Sequence, residues 1–220
     1  MKVELISYSN LGEKVCGIAS KTCVSESIPT VDDDVTKSLK SAMSSGHTSV
    51  LEHWTATFSI EGISRACSHQ LVRHRLASYS QQSQRYVNMD GFEWVTPRTI
   101  TNADDWTFEK YNAVMREIEN LYCVLIRGGI PEEDARYILP NACKTNIVVT
   151  MNARELRHFF ALRCCTRAQA EIRELANKML ESCKAVAPIL FEDAGPSCKA
   201  TGRCPEGANS CGRYRRETIE

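Results

Sequence analysis

The sequence has no net charge: its 220 residues carry 27 lysines and arginines against 27 aspartates and glutamates. The whole-molecule positive field of many proteins that coat nucleic acid is therefore absent, and any anion recognition must come from a local cluster. No stretch approaches the roughly 20 apolar residues of a membrane helix. Met1-Lys2-Val3-Glu4-Leu5-Ile6 carries charge inside its first apolar run, unlike a signal peptide or an anchor, so a cytoplasmic location without a membrane partner is expected. Neither a glycine-rich dinucleotide fingerprint nor a phosphate loop is present, so a nucleotide would be held by other means. No two-histidine helical motif or paired carboxylate cluster supports a metal-dependent hydrolase. The 11 cysteines are odd in number, which with the missing signal argues against a disulfide framework.

No repeat or low-complexity linker divides the chain, which reads as a single catalytic domain over residues 1–192 and a cysteine-containing tail over 193–220. Val3–Tyr8 reads as an opening strand. Asp32–Asp34 open a helix with Val35, Leu39, Ala42 and Met43 on one face, stopped at Gly46. From His53 to Ile60, Trp54, Ala56, Phe58 and Ile60 alternate with polar residues, the period of a half-buried strand. Ile63 to about Arg75 reads as a helix, Phe92–Thr96 as a strand and Asn146–Met151 as another. Asp104 or Asp105 caps a long helix through Val114, Met115, Ile118, Leu121, Tyr122 and Leu125, ended by Gly128-Gly129. Pro131 opens a short helix that Pro140 closes. Asn152, with Glu155 at the capping-box position, starts the longest helix, running towards Pro188. Strands and helices do not alternate regularly, so the expected fold is α+β: a largely antiparallel sheet with long flanking helices.

The densest polar run is Arg73-His74-Arg75-Leu76-Ala77-Ser78-Tyr79-Ser80-Gln81-Gln82-Ser83-Gln84-Arg85-Tyr86, with three arginines, one histidine, three serines, three glutamines and no acid. Two readings fit: a solvated basic loop paired with acids elsewhere, or an anion site, because guanidinium forks match phosphate and carboxylate oxygens. Arg163 is similarly open. It follows Leu156, Phe159 and Phe160 at helical spacing, so it lies on their apolar face and needs a partner, either a structural ion pair or a bound group.

The spacing Arg-His-Arg, two residues, Ser, four residues, Ser, one residue, Arg resembles the motif of the flavin-dependent thymidylate synthases. Four flanking segments are similar as well: His47–His53, Ser64–Val72, Asp134–Pro140, and Met151–Leu156 continuing to Phe159–Arg163. The resemblance covers roughly residues 1–192 and implies the fold of the thymidylate synthase complementing proteins. It further implies reductive methylation of dUMP to dTMP in nucleotide biosynthesis, with methylenetetrahydrofolate as carbon donor and FAD, reduced by NADPH, as hydride source. No cysteine acts as nucleophile in this family. A homotetramer with shared active sites is implied too. The rival reading, a nucleic-acid-binding module, lacks positive net charge and interleaved exposed aromatics.

By the same resemblance Arg163 contacts the pyrimidine and favours ionisation at N3, the catalytic role. The dUMP-binding set is Gln70, Leu71, Val72, Arg73, Gln81, Gln82, Ser83, Gln84, Arg85 and Arg136, together with Arg163. The FAD-binding set is Ser49, His53, Arg73, His74, Arg75, Gln81, Asn152, Ala153, Arg154 and His158. Free N–H groups at the helix start after Asn152 add an anion site. Three positions depart from the family pattern: Lys21 stands where arginine is common, His158 where asparagine occurs, and Ala170 where tryptophan is frequent, leaving volume to fill. No metal is assigned. Cys198, Cys204 and Cys211 lie in a turn-rich tail and, with Cys164 or Cys165, would make a four-thiol zinc set, although intervals of five and six residues do not fit paired zinc ligands.

Overall fold

The alternation from Thr55 to Ile60 becomes a strand, and in the structure, a computed structural model that describes residues 1–216, it is the second of a four-stranded antiparallel sheet. The elements run β1 (Lys2–Tyr8), α1 (Gly12–Thr22), α2 (Thr36–Ser44), a 3-10 turn (Thr48–His53), β2 (Thr55–Ser64), α3 (Arg65–Leu71) and β3 (Ala77–Gln81). They continue with α4 (Arg98–Thr101), α5 (Asp105–Arg127), α6 (Glu132–Ala135), a 3-10 turn (Arg136–Ile138), β4 (Lys144–Asn152), α7 (Ala153–Arg163), α8 (Ala170–Val186) and α9 (Pro188–Phe191). The tail holds α10 (Ser197–Thr201) and the two-residue strands β5 (Arg203–Cys204) and β6 (Arg215–Arg216), which pair in parallel. Strand order in the large sheet is β1-β2-β4-β3. The α+β expectation holds.

Two compact units form: Met1–Lys2 with Ile60–Arg73 and Tyr79–Val148, and Val3–Ser59 with His74–Ser78 and Val149–Glu220. In the first, Met89, Phe92, Tyr122, Ala135 and Cys143 make a buried cluster. The buried Tyr122 hydroxyl accepts a hydrogen bond from the Met89 N–H at 3.2 Å, the partner a buried phenol requires. In the second, Trp54, Phe160 and Phe191 meet edge to face, with Trp54 and Phe191 centroids 5.3 Å apart. The helix face Ile172, Leu175, Ala176, Met179, Leu180 and Cys183 is buried at the spacing of a single helical stripe. Gly12 has no room for a side chain, since a Cβ there would stand 2.0 Å from the Trp54 ring.

Several boundaries differ from expectation. The helix expected from Ile63 starts only at Arg65, because Ile63 and Ser64 still belong to β2 and the Ser64 hydroxyl caps the helix by accepting from the Cys67 N–H at 3.0 Å. It ends at Leu71, not Arg75. Phe92–Thr96 forms only an isolated bridge, Trp94 to Cys143. The expected helix from Asn152 to Pro188 is two, α7 and α8, broken over Cys164–Gln169, where the Gln169 side chain accepts from the Glu171 and Ile172 N–H groups and so caps a fresh start. α5, at 23 residues, is consequently the longest helix. His53, the expected first residue of the strand, lies with Ser49 in the 3-10 turn before β2. Part of the Arg73–Arg85 run, read as a loop, is β3. Among the described residues no helix is long and apolar enough to cross a membrane.

Candidate active site

Arg163 ends α7, and Leu156, Phe159 and Phe160 on the same helix are fully buried. Each such side chain contributes about 1.5–3 kcal/mol of apolar burial, so the helix that carries Arg163 is firmly seated. Its partner is a neutral ring and not a carboxylate. The Arg163 Nε–H donates to His74 Nε2 at 3.2 Å, and His74 Nδ1 stands 3.3 Å from the Glu155 carboxylate. His74 and Glu155 are 4 % and 6 % exposed, so water cannot substitute for these contacts. Because Arg163 donates into Nε2, that nitrogen must keep its lone pair; the ring proton is then on Nδ1 and donates to Glu155. Burial, with the Arg163 charge and His158 alongside, pushes the His74 pKa down from 6.5 to about 4, which agrees with a neutral ring. Burial raises the Glu155 pKa, with His158 pulling the other way. The Phe159 ring packs against the His74 imidazole edge to face at 4.9 Å. The result is a chain, Glu155 to His74 to Arg163, that fixes where the guanidinium points.

Two sequence expectations change here. Glu155 does not close a capping box: the Asn152 side chain accepts from the Glu155 N–H at 2.9 Å, but the Glu155 carboxylate turns to His74. The start of α7 is also less open to an anion than expected, because the Ala153 N–H donates to the Trp54 carbonyl and the Glu155 N–H is taken by Asn152. The Arg154 guanidinium reaches Glu52 at 2.6 Å. Ser49, His53 and His158 are exposed. Ser49 borders a cavity of about 730 Å³ together with Lys21, Lys37, Ser41 and His47, a size usual for ligand sites. Ala170 is exposed in the first turn of α8, so the absent tryptophan leaves no hole in the core.

Gln70, Leu71, Val72, Arg73, Gln81, Gln82, Ser83, Gln84, Arg85 and Arg136 all belong to the first unit. Gln81 donates to the hydroxyls of Ser68 at 2.9 Å and Thr145 at 3.2 Å, which fixes its amide. The Gln82 N–H donates to the Asn146 carbonyl, extending the β3 edge by one bond. Ser83 opens a turn: its hydroxyl accepts from the Arg85 N–H at 3.2 Å and its carbonyl from Val87. Glu133 gathers two arginines. Its carboxylate pairs with Arg85 at 3.0 Å, and its carbonyl accepts from Arg136 Nε at 3.0 Å. Arg85 and Arg136 are thus brought together at Glu133. Leu71 is fully buried and its carbonyl accepts from the Tyr79 hydroxyl, so its side chain is core. Among the described residues the Arg73 and Arg75 guanidiniums have no ion-pair or hydrogen-bond partner, and both are exposed.

Residues 4–189 match the family model described as thymidylate synthase complementing protein. The chain belongs to that family. It is 51 % identical over 221 residues to the flavin-dependent thymidylate synthase of Geobacter sulfurreducens, covering 97 % of this chain and 94 % of the relative. With the enzyme of the same name from Pyrococcus furiosus it shares 52 % over 183 residues, 80 % of this chain and 75 % of that one. Among solved structures, the flavin-dependent thymidylate synthase of Helicobacter pylori complexed with FAD and dUMP superposes with a TM-score of 0.71 at 27 % identity, covering 89 % of this chain and all of that one. The thymidylate synthase complementing match ends before Cys198, whereas the Geobacter relative extends past it into the tail.

Glu155 and Glu133 are the residues that sequence reasoning missed. A glutamate three residues after an asparagine cap reads as capping, and only its burial beside His74 shows otherwise. Glu133, three residues before Arg136, has in sequence only the pattern of a helix-surface charge.

Proposed function

We infer that this protein is a flavin-dependent thymidylate synthase, a methyltransferase that converts dUMP to dTMP with methylenetetrahydrofolate as carbon donor and FAD and NADPH as redox partners. The observation that carries the reading is 51 % identity across 97 % of the chain to an enzyme of that name, with the Arg73–Arg85 motif intact. The donor set fits the flavin: Arg73 and Arg75 offer two exposed guanidiniums suited to a pyrophosphate, with Ser49, His53, Gln81, Asn152, Ala153, Arg154 and His158 as further flavin contacts. His74 belongs to the same stretch, but its ring serves chiefly to aim Arg163. Bound FAD supplies the hydride that NADPH delivers to it.

The protein's own part is binding and charge placement. Arg85 and Arg136 hold the dUMP phosphate, displacing the exposed Glu133 carboxylate from Arg85; Ser83 and the Gln70, Gln82 and Gln84 amides complete the pocket. Arg163 stands by the pyrimidine and stabilises negative charge as N3 ionises, which raises electron density at C5, the carbon that attacks the methylene group. A guanidinium already fixed by His74 and Glu155 does this without reorganising. Residues 1–192 act as one catalytic domain in a cytoplasmic homotetramer. Eleven free cysteines suit a reducing compartment, and Val114, Leu121 and Val124 leave an apolar stripe on α5 at 39 %, 48 % and 62 % exposure for another chain to cover.

The test uses purified protein loaded with FAD and reduced anaerobically by NADPH. Addition of dUMP and methylenetetrahydrofolate is expected to reoxidise the flavin in the wild type and, at least 100-fold more slowly (about 2.7 kcal/mol), in Arg163→Ala. A protein that takes up no FAD, or an Arg163→Ala variant at the wild-type rate, would refute the assignment.

A further inference from the structure

The tail after residue 193 has little apolar material to order it. Among its described residues only Ala194, Cys198 and Cys204 are buried apolar side chains. Its turns use Gly195, Gly202, Gly207 and Gly212, all at positive φ. A segment with so small a core needs a staple to hold a defined path, and in small modules that staple is a disulfide or a metal.

The fold supplies the material. The break between α7 and α8 presents Cys165 to the same small pocket that Cys198 on α10, Cys204 on β5 and Cys211 line, together with Arg167 and Arg213. The pocket's free volume is about 10 Å³, about that of one small sphere and too little for an organic ligand. Cys164, the alternative fourth thiol in the sequence, is buried in the core and does not line this pocket.

Two further features favour thiolates. The Arg167 N–H donates to the Cys165 sulfur at 3.5 Å, from two residues downstream. N–H···S bonds stabilise a charged sulfur and offer nothing that a disulfide requires. A zinc ion with four thiolates carries a net charge of −2, and Arg167 and Arg213 bring the compensating charges.

We propose that Cys165, Cys198, Cys204 and Cys211 form a structural tetrathiolate zinc site that pins the C-terminal tail to the α7–α8 turn. The four are free thiols in this structure, and no three of the described side chains yet stand at coordination geometry. Binding therefore draws the sulfurs inward by side-chain rotation and closes the pocket. The interval objection from the sequence falls away, because the ligands come from two separate segments, and the Arg167 N–H···S bond to Cys165 forms without a paired Cys-x-x-Cys motif. The site is structural and independent of thymidylate chemistry.

The experiment is metal analysis of the full-length protein purified without chelator or added metal, followed by replacement with Co²⁺. We expect about one zinc per chain, as for closed structural sites, and a Co²⁺ spectrum with the charge-transfer and d–d bands of a tetrahedral tetrathiolate. Cys198→Ser and Cys211→Ser should each lower the zinc content at least tenfold, while Cys23→Ser, an exposed thiol elsewhere, should keep it. Wild-type protein that is metal-free and takes up no Co²⁺ would overturn the proposal, whether its thiols are free or joined as disulfides. So would zinc that survives loss of Cys165 or Cys211, or a Co²⁺ spectrum without thiolate bands. The Co²⁺ arm needs no variant, so a misfolded mutant does not shield the proposal.

Discussion

Replacing Glu155 tests whether the Arg163 guanidinium is aimed from behind. In Glu155→Ala the His74 Nδ1–H loses its acceptor in a place 4 % exposed. An unsatisfied buried donor costs about 1–3 kcal/mol. The ring can avoid that cost by moving its proton to Nε2, but Nε2 then faces the Arg163 Nε–H, donor against donor, and the guanidinium is driven off its position. Either way the loss falls on the placement of Arg163, and 1.4–2.7 kcal/mol corresponds to about 10- to 100-fold in rate. Glu155→Gln keeps an acceptor oxygen for Nδ1–H and should stay within about fivefold of wild type, a change of about 1 kcal/mol. The assay is steady-state dTMP formation, with kcat and the KM for dUMP measured separately. Since the role proposed for Arg163 is to stabilise charge that develops during the reaction, kcat should fall with KM for dUMP nearly unchanged. Equal losses in the Ala and Gln variants, or wild-type kcat in Glu155→Ala, would show that the chain does not position Arg163.

Two other outcomes follow from the same geometry. Glu133→Gln removes the exposed carboxylate paired with Arg85, the guanidinium proposed to hold the nucleotide phosphate; such pairs contribute about 0.2–1 kcal/mol, so dUMP should bind up to about fivefold tighter by calorimetry, whereas unchanged or weaker binding would mean Arg85 does not meet the phosphate. His74 has a folded pKa of about 4 against an ordinary 6.5, so in that interval the unfolded chain binds the extra proton and stability rises with pH. This contribution, about 3 kcal/mol when complete, is fully present above pH 6.5 and is lost as pH falls towards 4. Denaturant unfolding of His74→Phe between those values should have a flatter pH profile than wild type, and a profile as steep would show that His74 titrates normally.

How far the sequence reached depends on whether a feature is local. The strand with period two, the Asp104-capped helix and the Gly46 stop each depend on neighbouring residues, and all three form, the strand shifted to Thr55–Ser64. The break between α7 and α8 was not legible: Cys164–Gln169 contains no proline or glycine, and the helix stops because Gln169 caps a new one. The motif from Arg73 to Arg85 marked the family, but not how its residues are placed. The burial of His74, the turn of Glu155 away from its own helix cap, and the sharing of Glu133 by Arg85 and Arg136 are tertiary facts without a sequence period to announce them. The cysteine intervals misled for the same reason, since the fourth thiol lies more than thirty residues upstream of the other three.

The central claim is thymidylate synthesis through a flavin, and product analysis tests it most directly. Purified protein is incubated with FAD, NADPH, methylenetetrahydrofolate and dUMP, and the nucleotides are separated. The account predicts dTMP that disappears when FAD, NADPH or the folate is left out and that is unaffected by replacing Cys23 or Cys123 with serine. No dTMP from an FAD-loaded protein, or dTMP formed without flavin and NADPH, would contradict it.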